Sequence, residues 1–519
     1  MTSLATRSRA QWELARNGLA PEGRAFINGR LVAAQSGATF DNISPIDGKL
    51  AGTVARCAAA DVDAAVANAR ATFEAGHWRH RDPKDRKRVL LRFAELIRGD
   101  LERLAALETL DVGKPIGNSL AVDVPFAADC IAYYAEFADK LYDEVAPTGP
   151  NDLALVRREP LGVIAAIVPW NYPLIISAWK LGPALLSGNS VVLKPAEQSP
   201  LSAIRLSELA CEAGLPPGVL NVVNGDKEVV DVLLQDPRVK AVGFVGSTSI
   251  AHYVYSQAAL HGKRAQCFGG AKNHMIIMPD ADLDQTVDAL CGAGFGSAGE
   301  RCMAISVAVP VGEKVADELV KRLVPRVEAL RVGLSSDPES DYGPVVTREA
   351  LERVKSYIGI GVAEGADLLV DGRGFKLQGY EDGFFIGPSL FDRVTPDMRI
   401  YKEEIFGPVL TVARAASYDD ALKLASDHEY GNGVSIFTRD GDAARDFTQR
   451  VNVGMVGVNV PIPVPIAYHT FGGWKRSGFG DLNQHGPDSI RFYTRTKTVT
   501  SRWPSGVKDG ASFVIPTMS

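Results

Sequence analysis

The sequence predicts an α/β fold organised on a doubly wound, nucleotide-binding parallel sheet. Two observations carry this: from residue 160 short apolar runs alternate with helical segments, and each helical segment is long enough to serve as a right-handed crossover. Size is the third. At roughly 150 residues per domain, 519 residues make about two to four domains with several sizeable cores.

The elements follow in order. Residues 24–33 read RAFINGRLVA, in which Asn28-Gly29 supplies the positive φ angles of a two-residue hairpin turn. Val62, Val66, Ala69 and Phe73 recur at helical spacing, as do Val89, Phe93, Ile97 and Leu101, so each segment has one buried face. A strand near 162–168, a helix near 174–187 and a strand at 190–194 come next. Ser199 is read as an N-cap, Pro200 as the first helical residue and Gly214 as the stop, before an apolar run at 219–223. Another helix and strand lead to 241–245, where Gly246 opens a further helix. Beyond about 280 a second α/β series begins, with a helix from Asp282, a strand at 305–311 and a helix over 314–330. Residues 491–500 (RFYTRTKTVT) read as an exposed strand suited to pair with another sheet edge, between lobes or between subunits.

Composition narrows the function. Fifty-six basic against 62 acidic residues leave a net charge of −6, with no cationic field for nucleic acid or an anionic membrane surface. The most apolar stretch, 161–186, is interrupted by Pro169, Asn171, Pro173 and Lys180, too soon for a membrane helix. The six cysteines have no CxxC or Cys/His ligand spacing, so no metal site is expected, and free thiols in a reducing cytoplasm are. Arg7, Arg9 and Arg16 raise a transit peptide as an alternative to a surface helix, but Glu13 lies among them.

Gly294, Gly296 and Gly299 form a GxGxxG, yet a helical pattern precedes them where the dinucleotide fingerprint needs a strand. Gly246-Ser247 fits a phosphate better, because it ends a strand and opens a helix whose free N–H groups and dipole favour an anion. Cys302 follows Ser297-Ala298-Gly299-Glu300-Arg301, where a guanidinium beside a thiol favours thiolate. An isolated cysteine is more often a buried small hydrophobe.

Val168-Pro169-Trp170-Asn171-Tyr172-Pro173, Leu193-Lys194-Pro195-Ala196-Glu197-Gln198-Ser199-Pro200, Phe244-Val245-Gly246-Ser247-Thr248, the Cys302 loop and Glu403-Glu404-Ile405-Phe406-Gly407-Pro408 occur in one order. Together, over residues 20–500, they resemble the aldehyde dehydrogenase superfamily. The resemblance implies a Rossmann-type NAD-binding domain, an α/β catalytic domain and a small oligomerisation β element. Its boundaries are an extension at 1–20, NAD binding at 21–145 and 160–278 with 146–159 as linker or oligomerisation strand, catalysis at 279–480, and an oligomerisation strand and tail at 481–519. It implies a homodimer or homotetramer.

By the same resemblance Cys302 attacks the aldehyde carbon, and Asn171 with the Cys302 backbone N–H forms the oxyanion hole. Hydride goes to the nicotinamide, leaving a thioester. Lys194 and Glu197 match residues holding the adenosine ribose, and Glu197 favours NAD over NADP. Val168 and Trp170 match the cofactor cleft, Gly246 and Ser247 the pyrophosphate turn, and Glu404 with Phe406 the nicotinamide-ribose end.

Hydrolytic members have a glutamate in Glu-Leu-Gly-Gly-Lys, aligned here with Phe268-Gly269-Gly270-Ala271-Lys272. A second family carboxylate aligns with Leu482. With neither base, a thiol is the better nucleophile and coenzyme A the expected acyl acceptor. From about residue 235 onward, Gly270-Ala271-Lys272-Asn273-His274, Gly299-Glu300-Arg301-Cys302-Met303-Ala304 and the proline-rich 457–465 resemble the CoA-acylating methylmalonate/malonate semialdehyde dehydrogenases. The first 235 residues, through 161–170 and 179–184, are more similar to aminoaldehyde and betaine-aldehyde dehydrogenases. Of two arginines that hold a substrate carboxylate in the semialdehyde group, Arg301 matches one and Phe126 occupies the other position. Three alternatives stay open: a hydrolytic aminoaldehyde dehydrogenase using Glu300 or His274 as base, a dinucleotide-binding member that turns over slowly, and a cysteine hydrolase pairing Cys302 with His274 or His469.

Overall fold

The computed structural model describes residues 8–503 except 338 and 466, with the side chains of 14–17 also left undescribed. Apolar runs that alternate with helices do form a parallel sheet. Its strands lie in the order Arg30–Val32, Ala25–Ile27, Leu220–Val222, Ser190–Lys194, Val163–Ile167, Val239–Val245, Arg264–Phe268 and Gly478–Phe479. The five central strands are mutually parallel, and the strands added at both edges are antiparallel. The chain starts in the middle at Val163–Ile167, winds outward one way to Leu220, then returns to wind the other way through Val239. Ligands bind where strand order reverses, at the carboxyl ends of the strands. Here those ends are Val168, Lys194 and Gly246.

The hairpin turn at Asn28 (φ 53°) and Gly29 (φ 73°) has the left-handed pair that its sequence requires. Val62, Val66, Ala69 and Phe73 are all buried along the helix Ala59–Ala75. The Ser199 cap is a correction. The helix runs Leu201–Glu212 with Pro200 at its cap, and the Ser199 hydroxyl has no partner. Asp111, from the helix Leu101–Val112, accepts the Leu201 N–H at 3.0 Å, so a distant carboxylate does the work assigned to the local hydroxyl.

A second, seven-stranded sheet holds Asn273–Ile277 beside Ile305–Pro310 on one flank and Gly433–Phe437 on the other. The chain changes sheet at 269–272, ahead of the expected boundary at 278. Within 491–500 the first three residues close the helix Gly486–Tyr493, and the strand is Thr494–Arg502. It pairs antiparallel with Asp152–Pro160 along its whole length, a strand that overlaps the 146–159 segment and runs one residue past it. Thr494–Arg502 is an edge strand of this small sheet. No helix among the described residues is long and apolar enough to cross a membrane.

Candidate active site

Cys302 is presented by an unusual turn. The helix Leu283–Phe295 precedes the glycine-rich stretch, as expected of a decoy, and Ser297, Ala298 and Gly299 then take successive left-handed conformations (φ 52°, 54° and 71°). Such geometry is costly outside glycine and persists only where surrounding contacts enforce it. The enforcing contact is the 403–408 segment: a Cβ on Gly299 would stand 2.2 Å from the Gly407 carbonyl oxygen. Two asparagines complete the clamp. Asn273 Nδ2 and Asn432 Nδ2 each donate to the Cys302 carbonyl at 3.0 Å. Spacing gives neither a role here: Asn273 opens the strand Asn273–Ile277, Asn432 immediately precedes the strand Gly433–Phe437, and only folding brings them to one oxygen.

Asn171 is buried at the switch point, between the strand Val163–Ile167 and the helix Pro173–Leu186, and its Nδ2 donates to the Glu300 carbonyl at 3.1 Å. An amide nitrogen carries two hydrogens, so one remains beyond that bond. Asn171 and Glu300 line a small cavity with Ser297, which stands five residues before Cys302.

The electrostatics of Cys302 correct one expectation. Removal from water pushes its thiol up to about 12, and the charge of Glu404 adds to this; Arg301 opposes it as the weakest influence. The reason is direction. Arg301 folds back onto its own loop, with Nε donating to Ser297 Oγ and Nη1 to the Gly292 carbonyl, both at 3.3 Å. Its guanidinium occupies the space a Cβ on Gly296 would need.

Glu404 and Phe406 share a cavity wall with Arg301, Cys302, Ala271 and Asn273. The Glu404 carboxylate is half-buried, its pKa raised by desolvation, and Oε1 accepts from the Ala271 N–H at 2.9 Å. Phe406 is held left-handed (φ 55°) with its ring edge-on to Trp170 at 5.5 Å. Lys194, buried with its pKa lowered by desolvation, forms an ion pair with Glu197 at 3.2 Å. The Val168 N–H donates to the Lys194 carbonyl, and Gly246 N–H to the Phe268 carbonyl, both at 3.1 Å. Ser247 caps the helix Thr248–Leu260 without a side-chain bond, which leaves that N-terminus open to an anion. A carboxylate for hydroxyls, an open helix end for phosphate and two rings at the far side fit a dinucleotide.

The other candidate bases do not reach the sulfur's cavities. Glu300 turns its carboxyl to the Val346 N–H at 3.2 Å, and burial holds its pKa well above the usual range. His274 Nδ1 donates to the Lys272 carbonyl at 2.8 Å, its Nε2 lies 3.0 Å from the Tyr401 hydroxyl, and burial drives its pKa well down. The His469 ring packs on Tyr468. None of the three lines a cavity with Cys302.

Phe268 is buried, with Lys180 Nζ 5.4 Å from its ring centroid. Lys180 donates to Gln266 Oε1 at 3.1 Å, and desolvation brings its pKa down to about 7. Leu482 contributes only its carbonyl there, accepting from Gln266 Nε2 at 3.0 Å. The opposite approach to Cys302 is a cavity of about 800 Å³ walled mainly by Phe126, Tyr133, Trp179, Met303, Ile462 and Tyr468.

Comparison with known proteins agrees with this geometry. Residues 31–499 match the model of the aldehyde dehydrogenase family. A malonate-semialdehyde dehydrogenase of Pseudomonas aeruginosa is 50% identical over 495 residues, 95% of this chain and 99% of that protein, so both halves align with one relative. The mitochondrial acylating methylmalonate-semialdehyde dehydrogenase of Arabidopsis thaliana is 41% identical over 95% of this chain and 80% of its own length. A Sinorhizobium meliloti protein, assigned as a methylmalonate-semialdehyde dehydrogenase and crystallised with NAD, superposes with a TM-score of 0.92 at 55% identity, covering 95% of this chain and all of that one. The chain belongs to the aldehyde dehydrogenase family.

Proposed function

We propose that this chain oxidises a short semialdehyde with NAD through a Cys302 thioester, and that coenzyme A takes the acyl group. The observation that carries the last step is the ring of Phe268, packed beside Lys180 where hydrolytic relatives have their base. Cys302 sulfur bonds to the aldehyde carbon, while Asn171 and the Cys302 N–H donate to the oxygen that gains charge. NAD, when bound, supplies the hydride acceptor. Val168, Trp170, Lys194, Glu197, Gly246, Ser247, Glu404 and Phe406 hold it, and Arg301 sits nearest the substrate. Residues 21–145 and 160–278 serve the dinucleotide and 279–480 the thiol chemistry. The relatives' names, malonate- and methylmalonate-semialdehyde dehydrogenase, one of them acylating and one crystallised with NAD, support substrate, acceptor and cofactor. The open edge of Thr494–Arg502 supports a homodimer or homotetramer, and the unpaired cysteines support the cytoplasm.

The test is NADH formation from malonate semialdehyde with and without coenzyme A. One equivalent of NADH per Cys302 without CoA, and steady turnover with it, is the expected result. Full turnover without CoA overturns the acceptor. One observation favours that hydrolytic reading: Glu404 lines the same cavity as the sulfur. In that case Glu404→Gln removes the CoA-independent turnover. A burst that CoA does not convert to turnover points instead to a weakly catalytic dinucleotide-binding member.

A further inference from the structure

A buried ionic cluster lies behind Asn171, outside both the thiol chemistry and the dinucleotide cleft. Glu108 stands near the end of the helix Leu101–Val112, and Gly113 (φ 77°) then turns the chain so that Lys114 faces it. A π-helical turn follows at Ser119–Asp123, a form found mostly at functional sites. Lys114 Nζ donates to Asp123 Oδ2 at 2.6 Å and to Glu108 Oε2 at 3.4 Å, and Ser119 Oγ donates to Asp123 Oδ2 at 3.3 Å. The three charged side chains are at most 3% exposed. Stability alone does not account for them, since well-packed apolar residues of similar volume do as well or better without the cost of desolvation.

Two contacts of the cluster reach one short segment. Glu108 Oε1 accepts the Leu174 N–H at 2.7 Å, and Lys114 Nζ stands 3.9 Å from the centre of the Tyr172 ring. Leu174 is the second residue of the helix Pro173–Leu186, where Tyr172 provides no side-chain cap, so the carboxylate takes a donor that the local sequence leaves orphaned. Residues 172 and 174 are thus gripped from one side, while Asn171 donates to the Glu300 carbonyl on the other. Lys114 also lines the small cavity shared by Asn171, Ser297 and Glu300.

We propose that Glu108, Lys114 and Asp123 are positioning residues for aldehyde oxidation: by fixing Tyr172 and Leu174 they hold the second Nδ2 hydrogen of Asn171 on the oxygen that gains charge. The inference rests on the reading of Asn171 as an oxyanion donor. Misplacement of a reacting partner by about 1 Å costs up to about 10²-fold in rate, and a rigid tether beside Asn171 prevents it.

The experiment is a double-mutant cycle read in the first turnover: the rate of the NADH burst from malonate semialdehyde, with aldehyde and NAD saturating and no CoA, so that the acyl acceptor does not enter. Lys114→Met is expected to slow the burst about tenfold or more, but by less than about twofold once Asn171→Ala is in place, because it acts only through that amide. NAD affinity stays constant. Glu108→Gln, which keeps an acceptor for the Leu174 N–H, recovers most of the rate that Glu108→Leu loses. Tyr172→Leu leaves the ionic cluster whole and so carries the test even where Lys114→Met does not fold; a several-fold slowing that disappears in the Asn171→Ala background is expected. Equal slowing in both backgrounds is general damage and overturns the inference while the proposed function stands, as does a Lys114→Met protein that bursts at full rate. An unchanged burst in Asn171→Ala alone removes the oxyanion assignment and this inference with it. No burst from the unaltered protein sinks the proposed function as well.

Discussion

On one side of Cys302 the wall is polar and tightly bonded: Glu404 on the Ala271 N–H, Lys272 on the carbonyls of Ile400 and Glu403, Lys194 on Glu197. On the other side it is aromatic, with ion pairs only at the entrance. The polar wall can recognise a specific hydroxyl or phosphate, because a buried group left unpaired is expensive. The apolar wall discriminates by length and shape, in steps of a few fold per carbon. One cysteine thus lies between a demanding partner and a permissive one.

The largest effect that separates the walls comes from the junction itself. Asn171→Ala removes the proposed oxyanion donor, so kcat is expected to fall about 10²–10³-fold while dinucleotide affinity is unchanged. Stopped-flow NADH formation beside a binding titration measures both. An equal loss of dinucleotide affinity would show that Asn171 holds the polar wall together.

Titration of the sulfur gives the next effect. A thiol pushed up to about 12 is neutral around pH 7, and its thiolate fraction grows as pH rises toward that value. Iodoacetamide labelling of Cys302 in the free protein, followed by mass spectrometry, is expected to accelerate about tenfold per pH unit between about pH 7 and 9. A rate that levels off near neutrality would mean that Arg301 has turned toward the sulfur.

The smallest effect concerns the polar wall alone. Glu197→Gln replaces a charged acceptor by a neutral one, so calorimetry is expected to show NAD binding weakened roughly tenfold and the preference for NAD over NADP reduced. Aldehyde KM stays constant. A matching rise in aldehyde KM would show that the two walls are coupled.

Much of the fold is legible in the sequence because strand and helix periods, and the Asn28-Gly29 turn, are local properties. The cleft residues are legible for a related reason: Val168, Lys194 and Gly246 each end a strand, and topology alone carries those ends to one crevice. The failures come from long-range contacts and from one strained local turn. Ser199 loses its capping role to Asp111, which lies 90 residues from the N–H it accepts. Arg301 was read as an activator from adjacency, yet the left-handed turn at 297–299 sends its side chain backward. Asn432 stands 130 residues from the carbonyl it holds, a separation that no spacing rule addresses.

That clamp has a consequence for any attempt to divide the molecule. The carbonyl of Cys302 is tied to Asn273 and Asn432, and its turn is seated against Gly407. A fragment ending before residue 432 retains the sulfur but lacks one of its anchors. The sulfur-bearing turn is thus held by residues spread over 160 positions, and a break anywhere between 273 and 432 separates two of its supports.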